Sequence, residues 1–205
     1  MSLVVLFICA PFVEEFKGGD LVVTGLFSLV LLAGVLAVAD RKRILVFAIV
    51  LVIPAIAGRW INHFRPDLVS AAVFLTAGLI LIAFVVANLL LFVLRAPSVN
   101  GEVLCASIAA YLMLGLMWAM AYWLVDQMTP GGAFAFNAGP QSMKGFTGFY
   151  FSFITLSTVG YGDITPVSRT ARWLAAMEAM TGLLYVAVLI ARLVALYSTP
   201  KSHDS

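Results

Sequence analysis

The feature that most constrains this chain is the length of its uncharged apolar segments. The 27 residues from Leu68 to Leu94 and the 19 residues from Leu21 to Ala39 contain no Asp, Glu, Lys or Arg. An α-helix needs about 20 predominantly apolar residues to cross the hydrocarbon core of a bilayer. Only 11% of the whole chain is charged and 63% is hydrophobic, whereas about a quarter of a soluble domain is charged. The chain is therefore predicted to be an all-α integral membrane protein.

Four further apolar runs bring the predicted number of transmembrane helices to six. They are Leu3 to about Phe16, Ile44 to Gly58, Val103 to Val125 and Trp173 to Tyr197. The run from Val103 contains Trp118, Tyr122 and Trp123 near its end, which fits an aromatic belt at a membrane interface. The stretch after it, Asp126 to Lys144, is rich in Gly and Pro and is predicted to be a loop.

A polar connection divides the chain into two predicted domains. Arg95 to Glu102 contains Pro97, Asn100 and Gly101 and interrupts the apolar pattern. We expect a four-helix membrane domain over residues 1–98 and a second membrane domain over residues 99–205.

The segment from Phe146 to Ser157 is apolar and aromatic but only 12 residues long, too short to span a bilayer. Glycine-rich sequence follows it at once. Irregular backbone at membrane depth is tolerated only where protein or a water-filled cavity surrounds it. We therefore expect a short helix that enters the membrane, followed by a loop that leaves on the same side.

That loop is Thr158-Val159-Gly160-Tyr161-Gly162-Asp163. A β-strand alternates its carbonyls, but alternating right- and left-handed backbone conformations can point successive carbonyls the same way. Glycine permits positive φ at the spacing of Gly160 and Gly162. A row of carbonyl oxygens can replace the water shell of a cation in a narrow pore. Val159 and Tyr161 are expected to point away and to pack against the short helix.

The stretch from Phe146 to Tyr197 resembles the pore of the tetrameric potassium channel family, of the six-span bacterial type with one pore loop per chain. The resemblance implies a re-entrant pore helix, a selectivity filter and a homotetramer. It also implies that K⁺ binds main-chain oxygens of Thr158, Val159, Gly160 and Tyr161. Gly162 would support the mouth of the filter.

The resemblance implies two more positions behind the filter. Asp163 would accept a hydrogen bond from the hydroxyl of Tyr150 on the pore helix. The buried carboxylate that the family often carries on that helix is replaced by Ile154, so inactivation that depends on such a carboxylate is in doubt.

The last helix carries the remaining candidate residues. Gly182 falls where the family has a hinge glycine, although a glycine that permits close helix packing is equally compatible. Leu183, Val186 and Ile190 share one helix face, which by the family match lines a cavity. Packing of this face on the preceding helix is the alternative.

Glu178 is an acidic residue within an apolar helix. A carboxylate at membrane depth is costly and usually marks a partner or a function. We expect it to support the filter from behind, through pore-helix hydroxyls such as those of Ser152 or Thr155. The alternative is that it reaches to the outer membrane interface.

Gating charges are absent from the predicted fourth helix, since no Lys or Arg lies between Leu68 and Leu94. Voltage sensors carry several such charges in one helix, so no strong voltage gating is expected. The eight residues after Tyr197 predict no cytoplasmic ligand-binding domain in this chain. The family orientation puts the filter outside the plasma membrane and both termini in the cytoplasm. The 12 Lys and Arg divide six to six between the two sides, although the cluster Arg41 to Arg43 favours this orientation.

Other functions remain open at this level. A less selective monovalent cation channel is disfavoured by the intact Tyr161 and Gly162. A secondary transporter is disfavoured because no internal repeat is recognisable. A non-conducting membrane partner is the other alternative. No polar cluster has nucleophile and base spacing, so no enzymatic activity and no catalytic residue are predicted. A net charge of +2 is too small to indicate nucleic-acid binding. We expect lipid as surroundings, K⁺ as the permeant ion and no cofactor.

Overall fold

A computed structural model describes residues 71–98, 100–137, 139 and 141–197, together with positions 25, 28, 52–53, 56–58 and 60–61. From residue 71 onward the elements are four helices and one two-stranded sheet. They are α1 (Ala71–Arg95), α2 (Gly101–Met128), β1 (Phe134–Phe136), α3 (Phe146–Leu156), β2 (Ile164–Pro166) and α4 (Arg169–Tyr197).

Three of these helices are long and apolar enough to cross a membrane, over Ala72–Arg95, Gly101–Met128 and Arg169–Ala195. They correspond to the last three predicted spans, and they confirm a largely helical membrane protein. α3 has 11 residues and is too short to cross. The three earlier predicted spans lie almost entirely outside the described residues, so the total of six stays a prediction.

Each boundary of α2 has a local cause. The Asn100 side chain accepts a hydrogen bond from the Val103 N–H at 2.9 Å, which caps the first turn. Glu102 lies in that turn, where an acidic side chain interacts favourably with the positive end of the helix dipole. At the other end the helix stops at Met128, just before Pro130 and two glycines of positive φ, Gly131 and Gly132.

The main core lies between α1 and α2. Its buried members include Leu75, Leu81, Ile82 and Val85 from α1 and Met113, Leu114, Leu116 and Met120 from α2. Leu156, at the end of α3, belongs to the same core. The last helix of the predicted first domain therefore packs along the first helix of the second.

Two predicted boundaries are corrected by the structure. The stretch predicted as a loop, Asp126 to Lys144, contains β1, which pairs antiparallel with β2 through Phe134 opposite Pro166 and Phe136 opposite Ile164. The last helix begins at Arg169 and not at Trp173. Ser168 starts it, because the Ser168 hydroxyl accepts from the Ala171 N–H at 3.1 Å.

Candidate functional site

The segment between α3 and β2 has an alternating backbone. Thr158, Gly160 and Gly162 have φ of 59°, 53° and 78°, while the intervening Val159 and Tyr161 do not have positive φ. The positive φ expected at the two glycines is present. Thr158 was not expected to share it, since left-handed backbone is uncommon for a β-branched residue.

Main-chain hydrogen bonds fix this alternation at the end of the segment next to α3. The N–H groups of Val159 and Gly160 both donate to the carbonyl oxygen of Ile154, at 2.8 and 3.1 Å. The Thr158 N–H donates to the carbonyl of Thr155 at 2.9 Å. The amides of Thr158, Val159 and Gly160 thus turn back toward the end of α3, and none of the described hydrogen bonds uses the carbonyl oxygens of residues 158–161.

The end of the segment next to β2 is held by Tyr150 of α3 and by Asn137. The Tyr150 hydroxyl donates to Asp163 Oδ2 at 2.8 Å, which is the contact that the family resemblance implied. This hydrogen bond to the carboxylate raises the pKa of Tyr150. Asn137, just after β1, donates its N–H to the Asp163 carbonyl at 3.0 Å and its side-chain amide to the Gly162 carbonyl at 3.4 Å.

Asp126 holds the loop that presents β1. One of its carboxylate oxygens accepts from the Ala133 N–H at 2.8 Å and the other from the Met143 N–H at 3.4 Å. Sequence analysis did not single out Asp126 or Asn137. Their partners lie between 7 and 26 residues away, and no local pattern records such a pairing.

Glu178 is the buried acid of α4, with none of its surface exposed. The Tyr122 hydroxyl of α2 donates to its Oε2. Its Oε1 lies 2.5 Å from Ser152 Oγ of α3. The expected contact with Ser152 is present, whereas no hydrogen bond joins Thr155 to it among the described contacts. The alternative, in which Glu178 reaches to the membrane interface, does not fit a fully buried side chain.

Tyr122 is the residue that sequence analysis misplaced. It was expected in an interfacial aromatic belt, but it is fully buried and stacks edge-on against Phe134 and Phe151. Its neighbours Trp118 and Trp123 resemble a belt in sequence. Only the position of Glu178, 56 residues further on, shows that the Tyr122 hydroxyl faces inward.

Gly182 lies one helical turn beyond Glu178 and against the end of α3. A Cβ at Gly182 would clash with the main-chain carbonyl oxygen of Leu156. Ser152 and Leu156 on α3 thus face Glu178 and Gly182 on α4, with a spacing of four residues on both helices. This contact is the close packing that was the alternative to a hinge.

Most of the apolar surface of α4 is exposed in the single chain. Only 11% of its apolar window is buried. The alternative required the face formed by Leu183, Val186 and Ile190 to pack on α2. These side chains are 65%, 43% and 56% exposed in the single chain, so they do not pack on α2 of their own chain.

Two side chains of the loop also differ from expectation. Val159 and Tyr161 are 53% and 72% exposed, so they are not packed against the short helix of their own chain. Their apolar surface is open in the single chain.

Residues 103–199, just under half of the chain, match the model of a family described as "Ion channel". The chain is 32% identical over 90 residues to the inward rectifier potassium channel Kirbac3.1 of Paramagnetospirillum magnetotacticum, covering 44% of this chain and 28% of that protein. It is 34% identical over 90 residues to Protein LctB of Bacillus caldotenax, covering 41% and 64%.

A shorter match with a higher identity is to the voltage-gated potassium channel Kch of Escherichia coli, with 60% identity over 37 residues, 18% of this chain and 8% of that protein. This chain thus spans less than two thirds of the length of each of these relatives. No solved structure matches. By these matches residues 103–199 are similar to ion channels, among them proteins named as potassium channels, and not to an enzyme.

Proposed function

We propose that four copies of this chain form a potassium-selective channel in which K⁺ crosses the membrane passively. The observation that carries the proposal is the alternation of positive φ at Thr158, Gly160 and Gly162. This alternation points successive carbonyl oxygens to one side. The segment lies between a helix too short to span and a helix long enough to do so.

The proposed ion ligands are main-chain carbonyl oxygens of Thr158, Val159, Gly160 and Tyr161, with the Thr158 hydroxyl at the end next to α3. Four such segments around an axis replace the hydration shell of K⁺, and the ion is released because several equivalent sites hold it weakly. Similarity to proteins named as potassium channels supports K⁺ as the permeant ion. Proton or electron chemistry is not needed, and no cofactor is proposed.

Assembly as a homotetramer follows from the need for a closed ring. Each chain supplies one filter segment. The exposed apolar face of α4 and the exposed Val159 and Tyr161 supply surface that a second copy covers. We expect native mass spectrometry of the purified protein to give four copies.

The remaining candidate residues take supporting roles in this proposal. Gly162 and Asp163 shape the outer mouth, and Tyr150 holds Asp163. Glu178 supports α3 from behind. On α4, the face formed by Leu183, Val186 and Ile190 lines a water-filled cavity below the filter, and Gly182 sets how closely α4 approaches α3.

The proposed location is the plasma membrane, with the filter at the outer side and both termini in the cytoplasm. Strong voltage gating is not expected, because the only basic residue of α1 is Arg95 in its last turn.

A flux assay on purified protein in liposomes tests the proposal. We expect K⁺ flux to exceed Na⁺ flux strongly, with empty liposomes and Gly162→Ala protein as controls. Comparable K⁺ and Na⁺ flux would favour the less selective cation channel. No flux of either ion, from protein that is tetrameric and folded, would favour a non-conducting membrane partner.

A further inference from the structure

The contacts around Glu178 restrict where protons lie, and this restriction deepens the proposed function. Three hydrogen-bonded oxygen pairs meet in the buried space between α2, α3 and α4. They are Tyr122 with Glu178 Oε2, Ser152 with Glu178 Oε1, and Ser152 with the carbonyl oxygen of Gly115. Each pair needs one proton between its two oxygens.

The hydroxyl of Ser152 limits how protons can be assigned to the three oxygen pairs. Its hydroxyl has one proton but two neighbours, Gly115 O at 2.8 Å and Glu178 Oε1 at 2.5 Å. A carbonyl oxygen only accepts, so the bond to Gly115 requires the proton of Ser152. The bond between Ser152 and Glu178 then requires a proton from the carboxyl group.

The surroundings favour the same assignment. Glu178, Ser152 and Tyr122 are 0% exposed, and both groups that bond the carboxyl oxygens are uncharged hydroxyls. A buried carboxylate without a cation beside it is costly. A protonated acid, which both donates and accepts, satisfies all three pairs.

We propose that Glu178 is held as a neutral carboxylic acid with its proton on Oε1, donated to Ser152. The hydrogen bonds then run from Tyr122 on α2 to Glu178 on α4, on to Ser152 on α3, and back to Gly115 on α2. This uncharged circuit ties the pore helix to both flanking helices. It fixes the position of the filter without placing a negative charge behind it, so Glu178, Tyr122 and Ser152 are positioning residues.

The positioning role of this circuit rests on the proposed function, whereas the protonation of Glu178 can be tested without it. Infrared spectroscopy of the purified protein at neutral pH detects a protonated carboxylic acid by its carbonyl stretch, whether or not the protein conducts. We expect this band in the unmodified protein, a downshift in D₂O, and its loss in Glu178→Gln. Glu102→Gln is the matched control, because Glu102 is exposed, and it should leave the band unchanged.

Two further variants locate the proton. If Oε1 carries it, Oε2 is the carbonyl oxygen and Tyr122 is its donor. Tyr122→Phe then removes a hydrogen bond to the carbonyl and should raise the frequency more than Ser152→Ala does. A larger shift in Ser152→Ala would overturn the assignment to Oε1. A band absent from the unmodified protein, or unchanged in Glu178→Gln, would overturn the neutral acid itself.

Flux measurements on the same variants separate the two proposals. Glu178→Gln carries an amide that donates to Ser152 and accepts from Tyr122, so it should retain K⁺ flux and selectivity. Glu178→Ala should lose flux or selectivity. If both variants conduct normally while the band is present, the acid is neutral but not a positioning residue. If the unmodified protein has the band and does not conduct, the channel proposal fails and the proton assignment stands.

Discussion

Gly182 lies against the main-chain carbonyl oxygen of Leu156, where α3 ends and the proposed filter segment begins. Leu156 is itself buried, with 1% of its surface exposed, so its backbone has little room to retreat. The distance between α4 and the start of the proposed filter is thus set by the absence of a side chain at one position.

Gly182→Ala should therefore weaken the protein by forcing α4 away from α3. Overpacking of this kind costs about 1–3 kcal/mol, and the cost is incurred once in each subunit. We expect a lower melting temperature of the tetramer and reduced K⁺ flux. Gly101→Ala is the control, because a Cβ there meets no atom within 4 Å. Unchanged melting with altered opening would support the hinge role instead.

The C-terminal part of α4 is hydrogen-bonded to the end of α1. Arg192 donates from Nε to the Val93 carbonyl at 3.1 Å and from Nη2 to the Ala96 carbonyl at 2.7 Å. These carbonyls belong to the end of a helix, where acceptors lack partners within the helix. Leu189 packs against the same corner.

Arg192→Gln should loosen this corner, since hydrogen bonds to a charged group contribute about 1.5–3 kcal/mol. Arg192→Lys should recover only part of the loss, because an ammonium lacks the planar fork that reaches both carbonyls. Thermal unfolding in detergent measures both, with Arg95→Gln as the exposed control. Equal stability of Arg192→Gln and unmodified protein would contradict a stabilising role for this link.

What the sequence predicts well is what local chemistry determines. Positive φ at Gly160 and Gly162 could be predicted because glycine permits positive φ and the two glycines stand at alternate positions. The contact of Glu178 with Ser152 could be expected because a buried acid needs a hydroxyl nearby. Thr158 at positive φ could not, since that angle is imposed by the bonds that Val159 and Gly160 make to Ile154.

Long-range pairings account for the other differences. β1 has three residues, too few for a sequence pattern, and it forms only because β2 lies beside it. Tyr122 looked like an interfacial aromatic because its burial depends on α4. The sequence gives no partner for Arg192 within the last helix, because its acceptors lie nearly a hundred residues earlier. The roles assigned to the filter and cavity residues remain predictions.

Val186 tests the assignment of the cavity face. The side chain is 43% exposed in the single chain, and the proposed tetramer turns it toward the water-filled axis. In a background without Cys9 and Cys105, the two cysteines of the chain, Val186→Cys should react with a cytoplasmic thiol reagent and block K⁺ current.

Leu189→Cys serves as the matched position, because Leu189 packs toward Val93, Ala96 and Val103 and should be protected. Reaction at 189 but not at 186 would place the cavity on a different face of α4.

Weak voltage dependence is expected from the composition of α1. Steep voltage gating requires about three to four gating charges in each subunit, whereas Ala71–Arg95 has one basic residue, at its end. Currents through purified channels in a planar bilayer, recorded over both signs of voltage, should show a shallow conductance–voltage relation. A steep sigmoidal relation would mean that another part of the chain carries gating charge.

Gly162 is the position where the filter backbone is most directly testable. Its φ is 78°, and a Cβ there would meet no atom within 4 Å in one chain, so any cost of Ala arises from the backbone and not from a clash. Left-handed backbone costs an L-residue about 1–2 kcal/mol, and the ring incurs this cost four times. The Gly162→Ala segment should therefore rotate its peptide, which turns a carbonyl away from the ion path. We expect tetramers to form and K⁺ current to be lost. Gly162→Asn should keep more current than Gly162→Ala, because asparagine adopts positive φ more readily than most residues. Normal selective current through Gly162→Ala would show that K⁺ does not depend on this backbone geometry.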